Sequence, residues 1–432
     1  MIYLKKRVLV FPCGSVMAVD INFALRNCLR IEIFGASSIE DHGRYIYKNY
    51  IGKVPNIREE NFIYEFNKII TEYKIDFIIP THDTVAEYLV KNESEIFAKI
   101  ICSNLETTEI CRHKSLIYSK FKKYDFVPRI YNNVSEVDTF PIFLKPDDGQ
   151  GGKGTFLANN KKELEFYTSI NPKLIICEYL PGEEISVDCF TDRKSNLRFT
   201  SARTRERILA GMSVNSKKIS VQNEIYKIAD IINKELSFRG YWFFQLKKDK
   251  NQRYKLLEIS TRLAGTACLN RNLDVNFPLL SILDFCDEDI EILPNDYSIE
   301  VDRTLINRYK LDIQYERVYI DFDDTLIFDK KYYNEYMFMF LYQCVNDHKE
   351  IILITKHENS ITETLKNLKI ADCLFDEIIQ VELSDFKYKY IDTNKKSIFI
   401  DNSFAERKMV REKLNIPCFD VSNIECLIDW RG

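Results

Sequence analysis

What this 432-residue sequence has little of narrows its class before any motif is read. Glycine (13) and proline (11) are sparse, which excludes a collagen-like repeat and argues against long linker segments. Neither sign of charge prevails. Lys and Arg total 61 against 65 Asp and Glu, a formal net charge of -4, so no overall field draws in nucleic acid or an anionic membrane. The apolar run in "MIYLKKRVLVFPCGS" is far shorter than the roughly 20 residues of a membrane span and reads as a first buried strand. With no address signal, a cytoplasmic protein is expected. The twelve cysteines include no CxxC pair and no Cys/His cluster, so a zinc site is excluded and buried reduced thiols are expected. No internal repeat and no low-complexity tract occurs.

What is there is 45% hydrophobic and 13% aromatic, enough for large cores, over a length that implies two or three domains. The opening alternates strand and helix signals: "RVLVFP", a Gly14-Ser15 turn, "RIEIFGA", then "KIDFIIPTHD" leading into "TVAEYLVKNESEIFAKI". Such alternation predicts a parallel α/β domain over about 1–100 with its functional loops at the carboxyl ends of the strands, His82 among them. Gly14 alone is no dinucleotide fingerprint. His82 and Asp83 are equally readable as caps of the following helix. Over about 101–310 strand pairs dominate, and "YWFFQLKK" and "YKLLEIS", joined by "DKNQR", read as a hairpin of a mixed α+β domain. Strand and helix alternation resumes over 315–432 with "RVYID", "EIILIT" and "KSIFID".

Two stretches carry chemistry. In "FLKPDDGQGGKG" a strand delivers Lys145 into a loop holding Gly149, Gly151, Gly152 and Gly154. Glycines allow positive φ and close approach of backbone N–H groups to phosphate oxygens, while the lysine adds charge. Further on, Glu258 and Ser260 are two apart on a strand and so share a face, with Gln245 on the partner strand beside them. That oxygen-rich set suits Mg²⁺. Arg262 extends the line toward a transferred phosphate. In "SARTRERILAGMS" Arg203, Arg205 and Arg207 alternate and share one face if the segment is strand; that face is either a basic surface edge or one on which Arg205 or Arg207 meets a phosphorylated group or its acceptor.

The ordered series Lys114 in "CRHKSLIYSKF", Lys145 with its glycine loop, "CEYLPGEE", Gln245 and "EISTRLAG" resembles the ATP-grasp superfamily over about residues 1–310. The resemblance implies that Lys114 and Lys145 contact ATP phosphates, that Glu178, Tyr179 and Leu180 hold the adenine edge, and that Glu184 takes the ribose hydroxyls. It implies Gln245, Glu258 and Ser260 around Mg²⁺, with Mn²⁺ as the alternative ion, and activation of a small carboxylate as an acyl phosphate for attack by an amine or ammonia. Ser260 stands where the family usually has Asn.

The second stretch, "RVYIDFDDTLIFD", places Asp321 and Asp323 at i and i+2 beyond a buried strand. Two acids at one pocket repel unless a cation sits between them, so Mg²⁺ and phosphate are the natural occupants. One acid can attack phosphorus while the other protonates the leaving oxygen. Asp324 and Thr325 read alternatively as helix caps. Thr355 ends the next strand, "FKYKYI" offers Lys387 and Lys389, and Asp401 ends a third strand. This order resembles the haloacid-dehalogenase (HAD) superfamily of phosphatases over about 315–432. The likeness implies Asp321 as nucleophile and Asp323 as general acid/base, both at the metal, Thr355 as phosphate ligand, Lys389 as the preferred neutralising cation with Lys387 in reserve, and Asp401 as metal ligand. Asn402 replaces a common second acid, leaving Glu406 to help through water. The roughly 30 residues between Asp323 and Thr355 leave no room for a large cap, which favours bulky phosphorylated substrates.

The whole is therefore expected to be a bifunctional enzyme: an ADP-forming carboxylate-amine ligase fused to a HAD-like phosphatase without a large cap. A homodimer is left open. The alternatives are a carbamoyl-phosphate-synthase-like or kinase activity, or one domain without chemistry.

Overall fold

A computed structural model describes residues 5–149, 151–309 and 311–431. Gln150 of the glycine stretch and the first four residues of the N-terminal run lie outside the described residues. The chain divides into two compact units, 1–305 and 306–432.

The first unit opens with a five-stranded sheet in which Lys6–Phe11 is central. Ile31–Ala36 and then Asn49–Ile51 lie to one side, Phe77–Pro80 and then Lys99–Ile100 to the other, and all pairings are parallel. "KRVLVF" is rich in β-branched and aromatic residues, and Pro12 and Gly14 end it. Helix Phe62–Tyr73 buries Phe62, Phe66 and Ile70, spaced by four, and Phe62 and Phe66 meet Phe11. The strand order reverses beside Lys6–Phe11, so the Gly14-Ser15 turn and Thr81–Asp83 gather on one edge. The helical reading of 84–100 holds only to Lys91, after which the chain re-enters the sheet at Lys99–Ile100.

A small antiparallel sheet follows, ordered Ile130–Tyr131, Ile175–Glu178, Ile142–Lys145, Phe156–Ala158. The largest sheet is antiparallel and centres on Glu184–Thr191, flanked by Leu197–Thr204 and by Gly240–Lys248, which pairs in turn with Tyr254–Ser260. Its two faces differ by the period of two. Ile185, Val187, Cys189, Trp242, Phe244, Leu246 and Ile259 form one face and pack with Ile225, Ile228, Ala229 and Ile232 of helix Asn223–Glu235. The opposite face carries Glu184, Ser186 and Asp188 beside Lys247, Gln245 and Phe243.

On that polar face Arg203, fully buried, forks onto Asp188 at 2.7 and 3.1 Å, while Tyr241 and Asn270 donate to the same carboxylate at 2.6 and 2.9 Å. Arg203→Met leaves a buried carboxylate without its cation and is expected to lower unfolding free energy by about 3–5 kcal/mol, read as a reduced urea midpoint.

The second unit holds a parallel sheet ordered Glu377–Gln380, Glu350–Thr355, Arg317–Ile320, Ser397–Ile400, Cys418–Phe419. Buried on both faces, its central strands read as continuous apolar runs. Val318, Ile320, Leu353 and Ile400 pack with Met337, Phe340 and Leu341 of helix Glu335–Asn346. On the other face Tyr319, Ile352 and Phe399 pack with Val410 of helix Phe404–Leu414. Strand order reverses around Arg317–Ile320, which opens a crevice at its carboxyl end between Thr355 and Asp401. Between Asp323 and Glu350 lie only a hairpin, Ile327–Phe328 with Tyr332–Tyr333, and one helix. No helix among the described residues is long and apolar enough to cross a membrane.

Candidate active sites

In the first unit two lysines define the candidate site. Lys145 ends its strand with its ammonium buried, donating to the Tyr118 hydroxyl and to the Leu257 carbonyl at 3.4 Å. Lys114 opens helix Lys114–Phe121 and donates to the Gly149 carbonyl at 2.8 Å. Burial pulls both pKa values below the ordinary lysine value, opposed by the charge of Glu258. Among the described residues neither lysine has a carboxylate within 4.0 Å. Two desolvated ammonium groups without counter-ions leave a demand for negative charge between strand and loop.

The loop adds to that demand, since glycines at positive φ can turn backbone N–H groups toward an anion. Gly151, Gly152 and Gly154 have φ of 61, 68 and 71°, and among the described residues no atom beyond its chain neighbours lies within 4 Å of where a Gly152 side chain would begin. The loop rests on the tip of the hairpin Arg207–Leu209/Met212–Ile219: a Cβ on Gly211, at φ 77°, would sit 2.0 Å from the Gly151 carbonyl oxygen. Gly211→Ala is therefore expected to push the loop off its seat at a cost of about 1–3 kcal/mol. That cost should appear as a lowered melting temperature and a lowered urea midpoint.

Gln245 and Glu258 are direct cross-strand partners, so their side chains stand side by side on the polar face. Ser260 does not join them as a free ligand. Its hydroxyl donates to Asp83 Oδ1 at 2.7 Å, and Arg262 Nε donates to Asp83 Oδ2 at 2.9 Å. Burial alone would raise the Asp83 pKa, but Arg262 and Ser260 hold it below the usual carboxylate value. Asp83 thus ties the strand-end loop of the first sheet to the Ser260–Arg262 corner, while the neighbouring His82 is exposed and its side chain caps nothing.

The arginines do not share one face. Leu197–Thr204 ends before Arg205, and Arg207 lies on the separate strand Arg207–Leu209, exposed and paired with Asp302 at 2.8 Å. Arg205 pairs with Glu184 at 2.7 Å and donates to the Gly211 carbonyl at 3.0 Å. Glu184 stands between Arg205 and Lys247, the latter 3.7 Å away on its other oxygen. Glu178 accepts from the Arg129 backbone N–H at 2.8 Å, which fixes the end of its strand; Tyr179 beyond it is partly exposed and Leu180 buried.

In the second unit Asp321 and Asp401 emerge from adjacent parallel strands and share one ammonium, that of Lys387, which contacts Asp321 and lies 2.6 Å from Asp401. Lys389, the cation expected from sequence, is half exposed and paired with Asp385 instead. "KYKY" is a 3₁₀ turn, Lys387–Tyr390, so two residues of spacing send the lysines in different directions. Burial raises the pKa of both acids against the pull of Lys387, and that of Asp401 reaches about 6, with the Asp321 charge adding to its burial. For Lys387 burial works in the opposite sense, but the two carboxylates hold its pKa above the ordinary lysine value.

Around this triad Thr325 donates to Asp321 at 3.0 Å and Ser403 N–H to Asp401 at 2.7 Å. Thr325 is thus a partner of Asp321 rather than a helix cap. Glu406, fully engaged, holds the Lys387 backbone N–H at 3.0 Å and Lys356 at 2.6 Å. Thr355 is completely buried at its strand end and its hydroxyl has no partner among the described residues. Asp323 stands at the mouth, 41% exposed. Among the described residues no three His, Cys, Asp or Glu side chains converge as a ready metal cage. The two acids at Lys387 are a donor set that Mg²⁺ can take up only with phosphate oxygens and water completing it.

Comparison with known proteins finds matches over part of the chain. The family described as "ATP-grasp in the biosynthetic pathway with Ter operon" matches residues 171–305. The D-alanine–D-alanine ligase of Fusobacterium nucleatum is 30% identical over 123 residues, covering 26% of this chain and 43% of that protein. The chain spans about half the length of the curated relatives it matches. Among solved structures, biotin carboxylase from Campylobacter jejuni in complex with β,γ-ATP superposes with a TM-score of 0.56 at 15% identity, covering 66% of this chain and 72% of that one. N5-carboxyaminoimidazole synthetase from Staphylococcus aureus with ADP gives 0.55 at 16% identity, covering 68% and 80%. At such identities the likeness is one of fold.

Proposed function

We propose that the ATP-grasp domain within residues 1–305 makes this protein an ADP-forming ligase that joins a small carboxylate to an amine or ammonia, and that residues 306–432 form a HAD-like phosphatase. The three functional parts follow as 1–100, 101–310 and 315–432. For the ligase, the observation that carries the reading is the pair of buried ammonium groups, Lys114 and Lys145, without carboxylate partners beside a glycine loop. ATP phosphates supply the missing charge. The Gln245–Glu258 pair fits Mg²⁺, which when bound would neutralise phosphate oxygens. Arg262, oriented by Asp83, is placed to hold the oxygens of the forming acyl phosphate, and the low-dielectric polar face strengthens every such contact. The curated relatives named as ligases support this direction of chemistry.

For the phosphatase, the carrying observation is the orphaned, buried Thr355 hydroxyl in the crevice that also holds Asp321, Lys387 and Asp401. A phosphate oxygen satisfies that hydroxyl, Lys387 offsets its charge, Asp321 attacks phosphorus and Asp323 protonates the leaving oxygen.

Amino acids and small acids screened for ADP release, beside p-nitrophenyl phosphate hydrolysis, test both halves. Lys145→Ala should remove only ATP-dependent ligation and Asp321→Asn only hydrolysis. Loss of both activities in either variant would overturn the division of labour.

A further inference from the structure

Resting on the phosphatase reading, we infer that His357 is a positioning residue that holds Asp323 in place as general acid. His357 Nδ1 lies 2.8 Å from Asp323 Oδ2 and 3.1 Å from Oδ1, and its Nε2 lies 2.9 Å from Thr364 Oγ1. The imidazole is 9% exposed and lies edge-on to the Phe322 ring at 5.3 Å. Its backbone is fixed as well, since Gln380 Nε2 donates to the carbonyls of His357 at 2.8 Å and Asn359 at 2.7 Å. Asp323 itself follows the strand end and is the most exposed acid of the crevice. Without a partner its carboxyl would turn freely in solvent.

The geometry assigns the roles. A carboxylate can only accept, so Nδ1 carries the proton toward Asp323 and leaves Nε2 to accept from the Thr364 hydroxyl. As Asp321 forms its bond to phosphorus and the bond to the leaving oxygen breaks, the Asp323 proton passes to that oxygen. The carboxylate so created takes a charge-assisted bond from Nδ1–H. In the second half water attacks phosphorus, the Asp321–phosphorus bond breaks and Asp323 recovers its proton from the water. A general acid matters most when the leaving group is a poor one, so His357 should matter in proportion.

The test compares an alkyl phosphate, which needs leaving-group protonation, with p-nitrophenyl phosphate, which scarcely does. His357→Ala should lower kcat for the alkyl ester by about 10- to 100-fold with KM little changed, and lower p-nitrophenyl phosphate turnover by no more than about threefold. His357→Asn, whose amide can place an N–H near Nδ1, should restore most of the loss, and His357→Ala should add nothing in an Asp323→Asn background. Equal losses on both esters, or no rescue by Asn, would mean a merely structural histidine and overturn the inference. A wild-type protein inert toward both esters would overturn the phosphatase reading itself.

Discussion

Lys387→Met is expected to abolish phosphate-ester hydrolysis and to destabilise the second unit, both through one lost charge. In the folded protein the ammonium is the only cation that touches both Asp321 and Asp401 among the described residues. Removing one member of a buried ionic cluster costs about 3–5 kcal/mol, because the remaining charges stay desolvated and here repel each other. The sign with pH follows from the carboxylates. Their folded pKa values are raised, that of Asp401 to about 6, so between the unfolded carboxylate value near ~3.9 and the folded value the native state binds more protons than the unfolded one. Stability contributed by these groups therefore grows as pH falls through that window. Without Lys387 the repulsion is unopposed and the folded values rise further. The deficit of Lys387→Met should be full at pH 7 and shrink toward pH 4, measured as urea midpoints across that range. A variant as stable as wild type at pH 7, or one still hydrolysing p-nitrophenyl phosphate, would contradict the arrangement.

The same cluster shows where sequence reading stops. Asp321, Thr355 and Asp401 were legible because each ends an apolar parallel strand, and strand ends of such a sheet converge on one edge whatever the loops do. Lys387 and Lys389 were not separable because they sit on an irregular turn, where a spacing of two fixes no direction. His357 carries no local signal for a related reason. Only the pairing of Glu350–Thr355 beside Arg317–Ile320, followed by the fold of the next loop, brings it to Asp323. In the first unit the hairpin pattern correctly placed Gln245 against Glu258. The carboxylate that engages Ser260 and Arg262 lies some 180 residues earlier, at Asp83, and no local pattern carries such a contact. The arginine alternation misled because the strand ends at Thr204, so that Arg205 and Arg207 belong to different environments.

Lys145→Met should behave as the mirror image of Lys387→Met. Both lysines are buried, yet Lys387 sits between two carboxylates, whereas among the described residues Lys145 has only neutral oxygens within reach, those of Tyr118 and Leu257. A desolvated ammonium without a counter-ion is a cost to the free protein that the bound ligand repays. The substitution is therefore expected to leave the ligand-free melting temperature unchanged or raised, while ATP-dependent ADP release falls by about 10²–10³-fold, the usual effect of losing one preorganised donor to a charged reaction centre. ATP should also cease to raise the melting temperature, because ligand stabilisation follows affinity. The pH sign is opposite to that of the acids. Burial lowers the folded pKa of Lys145, so below the unfolded lysine value the unfolded state binds more protons and wild-type stability rises with pH through that window. A thioether in place of the ammonium removes that rise. A fall in ligand-free stability comparable to that of Lys387→Met would show that Lys145 serves the fold, and the anion site in the first unit would then need another owner.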